Sequence, residues 1–168
     1  LEAFELWLSQ AAGKSACDYS FHMGIARFDA DVAAVAPESV LAHKPAALAF
    51  AEASTLPQAA AIALQGTAGV GEGQRMLING SGGGSGSFAI QLAKRAGAHV
   101  TGVDNAGKLE FMRSLGADEV VDHRRTDFTQ LGPFDHILDL VAYRSVFTYR
   151  RALARGGRYR CVGGPVPT

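Results

Sequence analysis

The six residues Ser81-Gly82-Gly83-Gly84-Ser85-Gly86 stand between a short apolar stretch, Met76 to Gly80, and a stretch with helical spacing. In that stretch Ala89, Leu92, Ala93 and Ala96 share one face, while Gln91, Lys94 and Arg95 take the other. Gly97 stands where a helix C-terminal cap belongs. Strand, glycine turn and helix in this order make a site for the pyrophosphate of a dinucleotide. Glycines let the backbone come close to the phosphates, and the first N–H groups of the helix favour negative charge. The best register is Ser81-x-Gly83-x-x-Gly86, with serine small enough to replace the first glycine of the usual fingerprint. Composition alone would also suit a flexible linker. A linker is not followed by a second apolar strand, His99 to Val103, ending in an acid, Asp104. That acid lies roughly 20 residues past the turn, where a carboxylate accepts hydrogen bonds from an adenosine ribose and repels a 2′-phosphate. A helix N-cap before Lys108 is the compatible alternative for Asp104, with the ribose role favoured.

Such a turn needs a sheet to hold it. Strands are predicted over 76–80, 99–104, 119–122, 134–141 and 158–163, and helices over 86–96, 106–115 and 145–154, with Gly116 and Gly156 just past two helix ends. This alternation implies an α/β, doubly wound parallel sheet of the Rossmann kind, order 3-2-1-4-5, ending before a sixth strand. Asp122, Asp135 and Asp139 fall at strand ends or turns and read as solvated carboxylates. Residues 38–74 are alanine-rich, with a helix opening at Leu56-Pro57. Residues 1–37 read as an appended amphipathic helix and strand, so the expected division is 1–37 and 38–168.

The 168 residues allow one medium domain with a sizeable core, and 48% hydrophobic with 19% charged residues describe an ordinary globule. Basic and acidic residues balance at 16 each, which argues against nucleic-acid or anionic-membrane partners. Neither a spanning apolar run nor a secretory leader is seen, and Cys17 and Cys161 lie far apart, so a cytoplasmic location is expected. Leu1 at the start suggests an excerpt or a processed chain.

Gly13-Lys14-Ser15 lacks the first glycine of a phosphate-binding loop, since position 8 is Leu8. His22, His43, His99, His123 and His136 show no metal-ligand spacing, and no zinc is expected. No tyrosine has a lysine four residues on, and no nucleophile elbow occurs. The chain shows a cofactor cradle and leaves the catalytic residues unknown.

From about Glu38 onward the chain resembles the nucleotide-binding half of medium-chain dehydrogenases/reductases, in the quinone reductase and alcohol dehydrogenase-like branch. The phrases are Ala42-His-Lys-Pro45, Ala51 to Pro57, Met76 to Gly86, Phe88 to Lys94, Arg113 to Asp118, Phe134 to Asp139 and Val162-Gly-Gly164. The resemblance implies that Gly82, Gly83, Gly84, Ser85 and Gly86 cradle the pyrophosphate and that Asp104, with Lys108, holds the adenosine ribose, with Ser81 and Asn105 also counted among the cofactor-binding residues. It also implies that His123 lies near the adenine, and that Val141, Ala142, Gly163 and Gly164 face the nicotinamide. The family's catalytic domain would precede this half, and no trace of its zinc ligands is present. Residues 1–34, with Asp18-Tyr-Ser-Phe-His-Met23, resemble instead an internal piece of dihydropyrimidinases and hydantoinases. The chain thus looks like a junction of two unrelated fragments.

The expected function is therefore that of an oxidoreductase's cofactor domain, binding NAD(H) in preference to NADP(H) and pairing into a homodimer along its fifth strand. A non-enzymatic module with the same fold is the alternative, and a hydantoinase-type hydrolase a remote one.

Overall fold

A computed structural model describes residues 45–162. The expected junction near residue 37, the hydantoinase-like segment, and the candidates Gly163 and Gly164 lie outside these residues. The chain divides between Pro57 and Gln58 into two units. The described part of the first holds a short helix, α1 (Phe50–Ser54), where the Glu52 carboxylate accepts the Ala49 N–H at 2.8 Å. Helix α2 (Leu56–Thr67) follows, with Pro57 in its first turn, where a missing N–H costs nothing.

The second unit is built on five parallel strands: β1 (Arg75–Asn79), β2 (His99–Asp104), β3 (Glu119–Asp122), β4 (Phe134–Asp139) and β5 (Leu153–Cys161). Their order is β3-β2-β1-β4-β5, as expected. Between them run α3 (Gly84–Arg95), α4 (Leu109–Ser114) and α5 (Val146–Tyr149), with 3-10 turns at Ala106–Lys108 and Phe128–Gln130. In β1, Met76, Leu77 and Ile78 are all wholly buried, since a parallel strand with both faces covered has no polar side. Met76 and Ile78 pack with Ala89, Ile90 and Ala93 of α3 and Met112 of α4. Leu77 faces the other way, among Phe128, Phe134, Ile137 and Tyr149.

Helix α3 ends as the sequence suggests. Gly97, at φ 82°, donates its N–H to Lys94 O, and Ala98 donates to Ala93 O, the paired bonds of a Schellman cap. The buried stripe is Gly86, Ala89, Ile90 and Ala93, so the face is turned slightly from the expected one, with Ile90 inside and Ala96 at its margin.

Three expectations need correction. The helix expected over 145–154 is only Val146–Tyr149: Ala152 donates to Tyr149 O, Phe134 donates to Ala152 O, and the chain joins the sheet at Leu153. Gly156 therefore lies inside β5, where the register jumps from Phe134↔Leu153 to His136↔Arg158, and does not follow a helix end. Strand β4 stops at Asp139, short of residue 141, because the Asp139 carboxylate takes the Val141 and Ala142 N–H groups and bends the chain out of the sheet.

Arg160 lies near the end of β5. Its guanidinium donates to Gly66 O at 3.3 Å and Ala68 O at 2.7 Å, satisfying carbonyls at the end of α2. It also lies 3.4 Å from Nδ1 of His136, whose other ring nitrogen is 3.2 Å from the Gln74 side chain. Burial, then the Arg160 and Arg158 charges, hold the His136 pKa below the usual histidine value.

Candidate functional site

Strand β1 lies between β2 on one side and β4 on the other, so chain connections run in opposite directions from it. In open parallel sheets such a reversal makes a crevice outside the carboxyl ends of the strands, and the glycine turn stands at that place. Gly80 and Ser81 donate to Val103 O at 2.9 and 3.1 Å, and Gly83 donates back to Gly80 O at 3.1 Å, which folds the turn tightly over the end of β2. Helix α3 then starts at Gly84, so the N–H groups of Gly84, Ser85 and Gly86 have no intrahelical acceptor.

The small residues have different tasks. Ser81 is wholly buried, its Oγ 3.2 Å from Val103 O and 2.7 Å from Met112 Sδ, so only its backbone faces the turn. Gly86 admits no side chain, since a Cβ would press on Gly80 O and Ser81 Cα, both backbone atoms. At Gly82 a Cβ would meet Lys108 Cδ at 2.5 Å and Asp104 Oδ2 at 2.9 Å. At Gly83 it would meet only Gly80 O, at 3.3 Å, and otherwise open space. The space beside Gly83, under the open end of α3, fits a pyrophosphate. The residues present therefore suit a bound dinucleotide.

The structure brings Asp104 to the turn. Its Oδ2 accepts the Gly82 N–H at 3.0 Å and lies 3.4 Å from Lys108 Nζ, and its Oδ1 accepts the Asn105 N–H at 2.8 Å. It does not cap the following turn. Asn105 does so instead, its side chain accepting the Gly107 N–H at 3.0 Å. His123 is exposed just past β3, and its N–H donates to Asp104 O at 3.1 Å. Asp104, Asn105, Lys108 and His123 are thus gathered at the β2–β3 end of the crevice.

Val141 and Ala142 lie at the opposite end, over β4. Val141 is half-exposed, and Ala142 adopts φ 52°, a conformation that costs a residue with a Cβ. Val141 rests on the glycine turn, for a Cβ at Gly80 would meet Val141 Cγ2 at 3.0 Å.

The reading of Asp122, Asp135 and Asp139 as solvated carboxylates fails. Asp135 accepts the Arg75 N–H at 2.8 Å, and the largely buried Asp122 accepts the Arg124 N–H at 3.0 Å. Asp139 is wholly buried. Its Oδ1 accepts from Asn79 Nδ2 at 2.9 Å and from the Val141 and Ala142 N–H groups at 3.1 and 3.0 Å. Its Oδ2 accepts from the Tyr159 hydroxyl at 3.0 Å. Burial alone would raise the Asp139 pKa. The hydrogen bonds from Ala142, Tyr149, Asn79 and Val141 outweigh it and hold the carboxyl below its usual range. Burial, and then Asp139, push the Tyr149 and Tyr159 phenols well above the ordinary tyrosine value. Asn79 and Asp139 each end an apolar strand, and that placement was the available signal for the network.

Among the described residues no group of three or more His, Cys, Asp or Glu side chains is arranged to hold a metal ion. No described helix is long and apolar enough to cross a membrane.

Residues 84–168 match the zinc-binding dehydrogenase family. A chloroplast envelope quinone oxidoreductase homolog of Arabidopsis thaliana is 40% identical over 109 residues, covering 60% of this chain and 32% of its own length. A 2-methylene-furan-3-one reductase of Solanum lycopersicum is 41% identical over 109 residues, covering 62% of this chain and 28% of its own. Among solved structures, the quinone oxidoreductase from Coxiella burnetii superposes with a TM-score of 0.67 at 32% identity, over 70% of this chain and 38% of that one. The chain spans about a third of the length of these relatives.

Proposed function

The chain belongs to the zinc-binding dehydrogenase family, and on that premise we propose that it supplies the nicotinamide-dinucleotide site of an oxidoreductase acting on a carbonyl, alcohol or enone. The observation that carries this reading is the convergence, at one crevice, of the glycine turn, the open N-terminus of α3 and the Asp104 carboxylate. The dinucleotide, when bound, supplies a hydride donor or acceptor at its nicotinamide ring. The backbone of Gly82 to Gly86 takes the pyrophosphate, Asp104 and Lys108 take the adenosine ribose, and His123 borders the adenine. Val141 and Ala142 line the nicotinamide end. The quinone and the methylene-furanone named for two relatives are conjugated carbonyl compounds, which supports the substrate class. No described group of side chains fits a zinc ion, so no step is assigned to one.

NAD(H) is the preferred cofactor in this proposal. A 2′-phosphate would approach the Asp104 carboxylate, while the half-exposed Lys108 beside it offsets part of the repulsion. The expected preference is roughly tenfold, about 1.4 kcal/mol. Calorimetric titration with NADH and NADPH reads it directly. Equal or tighter NADPH binding overturns the preference, and binding of neither overturns the proposed function.

A homodimer is part of the same reading. Strand β5 is the sheet's edge among the described residues, with one side of its backbone unpaired, and two-fold pairing of such edges is a common way to cover them. Light scattering across a concentration series should give twice the 17.6 kDa chain mass; the single mass throughout refutes the dimer. Two cysteines far apart in sequence, Cys17 and Cys161, suit the reducing cytoplasm, the location proposed here.

A further inference from the structure

We infer that Asp139 is the positioning residue for the nicotinamide end of the crevice: its buried carboxylate holds the Val141–Ala142 backbone where the ring docks. This rests on the dinucleotide reading above, which it deepens by giving a part to a residue without contact to the crevice. The placement follows from the fold. Asp104 and His123 put the adenosine over β2 and β3, and the glycine turn over β1 takes the pyrophosphate. The other half of the ligand must then extend over β4, where the chain leaves the sheet at Asp139 and turns through Val141 and Ala142.

A wholly buried carboxylate is costly unless its lone pairs are filled. Asp139 fills them with neutral donors from separate elements: Asn79 at the end of β1, Tyr159 on β5, and two N–H groups of the loop itself. The Asn79 amide also lies 3.2 Å from the Tyr149 hydroxyl on α5, so the same network reaches a further element. Ala142 holds φ 52° without being glycine, at the end of the segment whose two N–H groups are bound to the buried anion. Leu140 donates to Asn79 O at 3.0 Å, and Val141 rests against Gly80. The loop is thus registered against the glycine turn, and the Asp139 carboxylate adds to this by bonding the Asn79 side chain and the Val141 N–H together. Its role is indirect, through the loop.

Asp139→Asn keeps the side chain's shape but puts an NH2 donor among groups that are themselves donors. The test compares ADP-ribose, which reports the adenosine and pyrophosphate contacts, with NADH, which adds the nicotinamide. In the variant, ADP-ribose affinity should stay within about twofold of wild type while NADH affinity falls by about tenfold or more, with loss of the NADH fluorescence change on binding. Parallel loss for both ligands would make Asp139 a general structural residue, and unchanged affinity for both would remove it from the site; either result overturns the inference. If the wild-type chain binds neither ligand, the dinucleotide reading itself falls, and the inference with it. Should the variant not fold, amide exchange on the wild-type protein decides. NADH, and not ADP-ribose, should slow exchange at Val141 and Ala142; equal slowing, or none, overturns the inference.

Discussion

Replacing Gly83 by valine is expected to lower dinucleotide affinity by about 100-fold or more, roughly 2.7 kcal/mol, while leaving the fold in place. Gly83 sits at φ −94° and ψ 179°, extended backbone that valine adopts readily. The new Cβ would have a single close neighbour, Gly80 O at 3.3 Å, which needs to give by only a few tenths of an ångström. Chain neighbours aside, no other atom lies within 4 Å of that Cβ, and the open N-terminus of α3 begins at the next residue. The valine methyls would fill the volume assigned to the phosphates. Calorimetry with NADH, alongside a urea unfolding curve, checks both halves of the expectation. Normal binding by Gly83→Val would show that the ligand lies elsewhere.

Gly86→Ala, three residues along, should fail in the opposite manner. Its added methyl would press on Gly80 O and Ser81 Cα and stand 2.6 Å from Ser81 C. These are backbone atoms held by the Gly80 and Ser81 bonds to Val103 O, so they cannot swing aside as a side chain would. Helix α3 would have to lift from the turn, disturbing the buried contacts of Ala89 and Ile90 with Met76 and Ile78. Overpacking of this kind costs about 3 kcal/mol or more. For a domain of this size the melting temperature should fall by on the order of 10 °C. A calorimetric scan of Gly86→Ala showing the wild-type midpoint would mean that the turn does not approach the helix so closely. The pair separates room for a ligand from room for the chain within one motif.

Much of this was legible in the sequence because it depends on local chemistry. The strand ends at His99, Asp104, Glu119 and Asp122 coincide with expectation, and the sheet order follows from alternating strands and helices. The caps after α3 and α4 were readable from Gly97 and Gly116, since each glycine holds a positive φ that other residues avoid. Asp104 was readable by its distance from the turn, although its bond to the Gly82 N–H was not.

What escaped depends on partners far along the chain. Asp139 resembles any acid at a turn until Asn79 and Tyr159 are brought beside it. Arg160 resembles an edge-strand charge until the end of α2 offers its carbonyls, more than 90 residues earlier in sequence. The short α5 was overestimated because Tyr149-Arg-Arg-Ala-Leu153 carries helical composition. The pairing of Leu153 with Phe134 overrides that preference, and no local signal announces it.

The crevice's two ends also differ in how far apart their parts lie along the chain. The adenosine side is assembled within one continuous stretch, its Gly82–Asp104 contact bridging 22 residues. The other side waits on Asn79 and Asp139, which are 60 residues apart. Closing the longer loop carries the larger entropic cost, and such pairings form late in folding. The phosphate cradle and its acid should therefore take shape on the nascent β1–β3 half before β4 arrives. The surface proposed for the redox-active ring would then be completed last, on a platform already formed for the rest of the ligand.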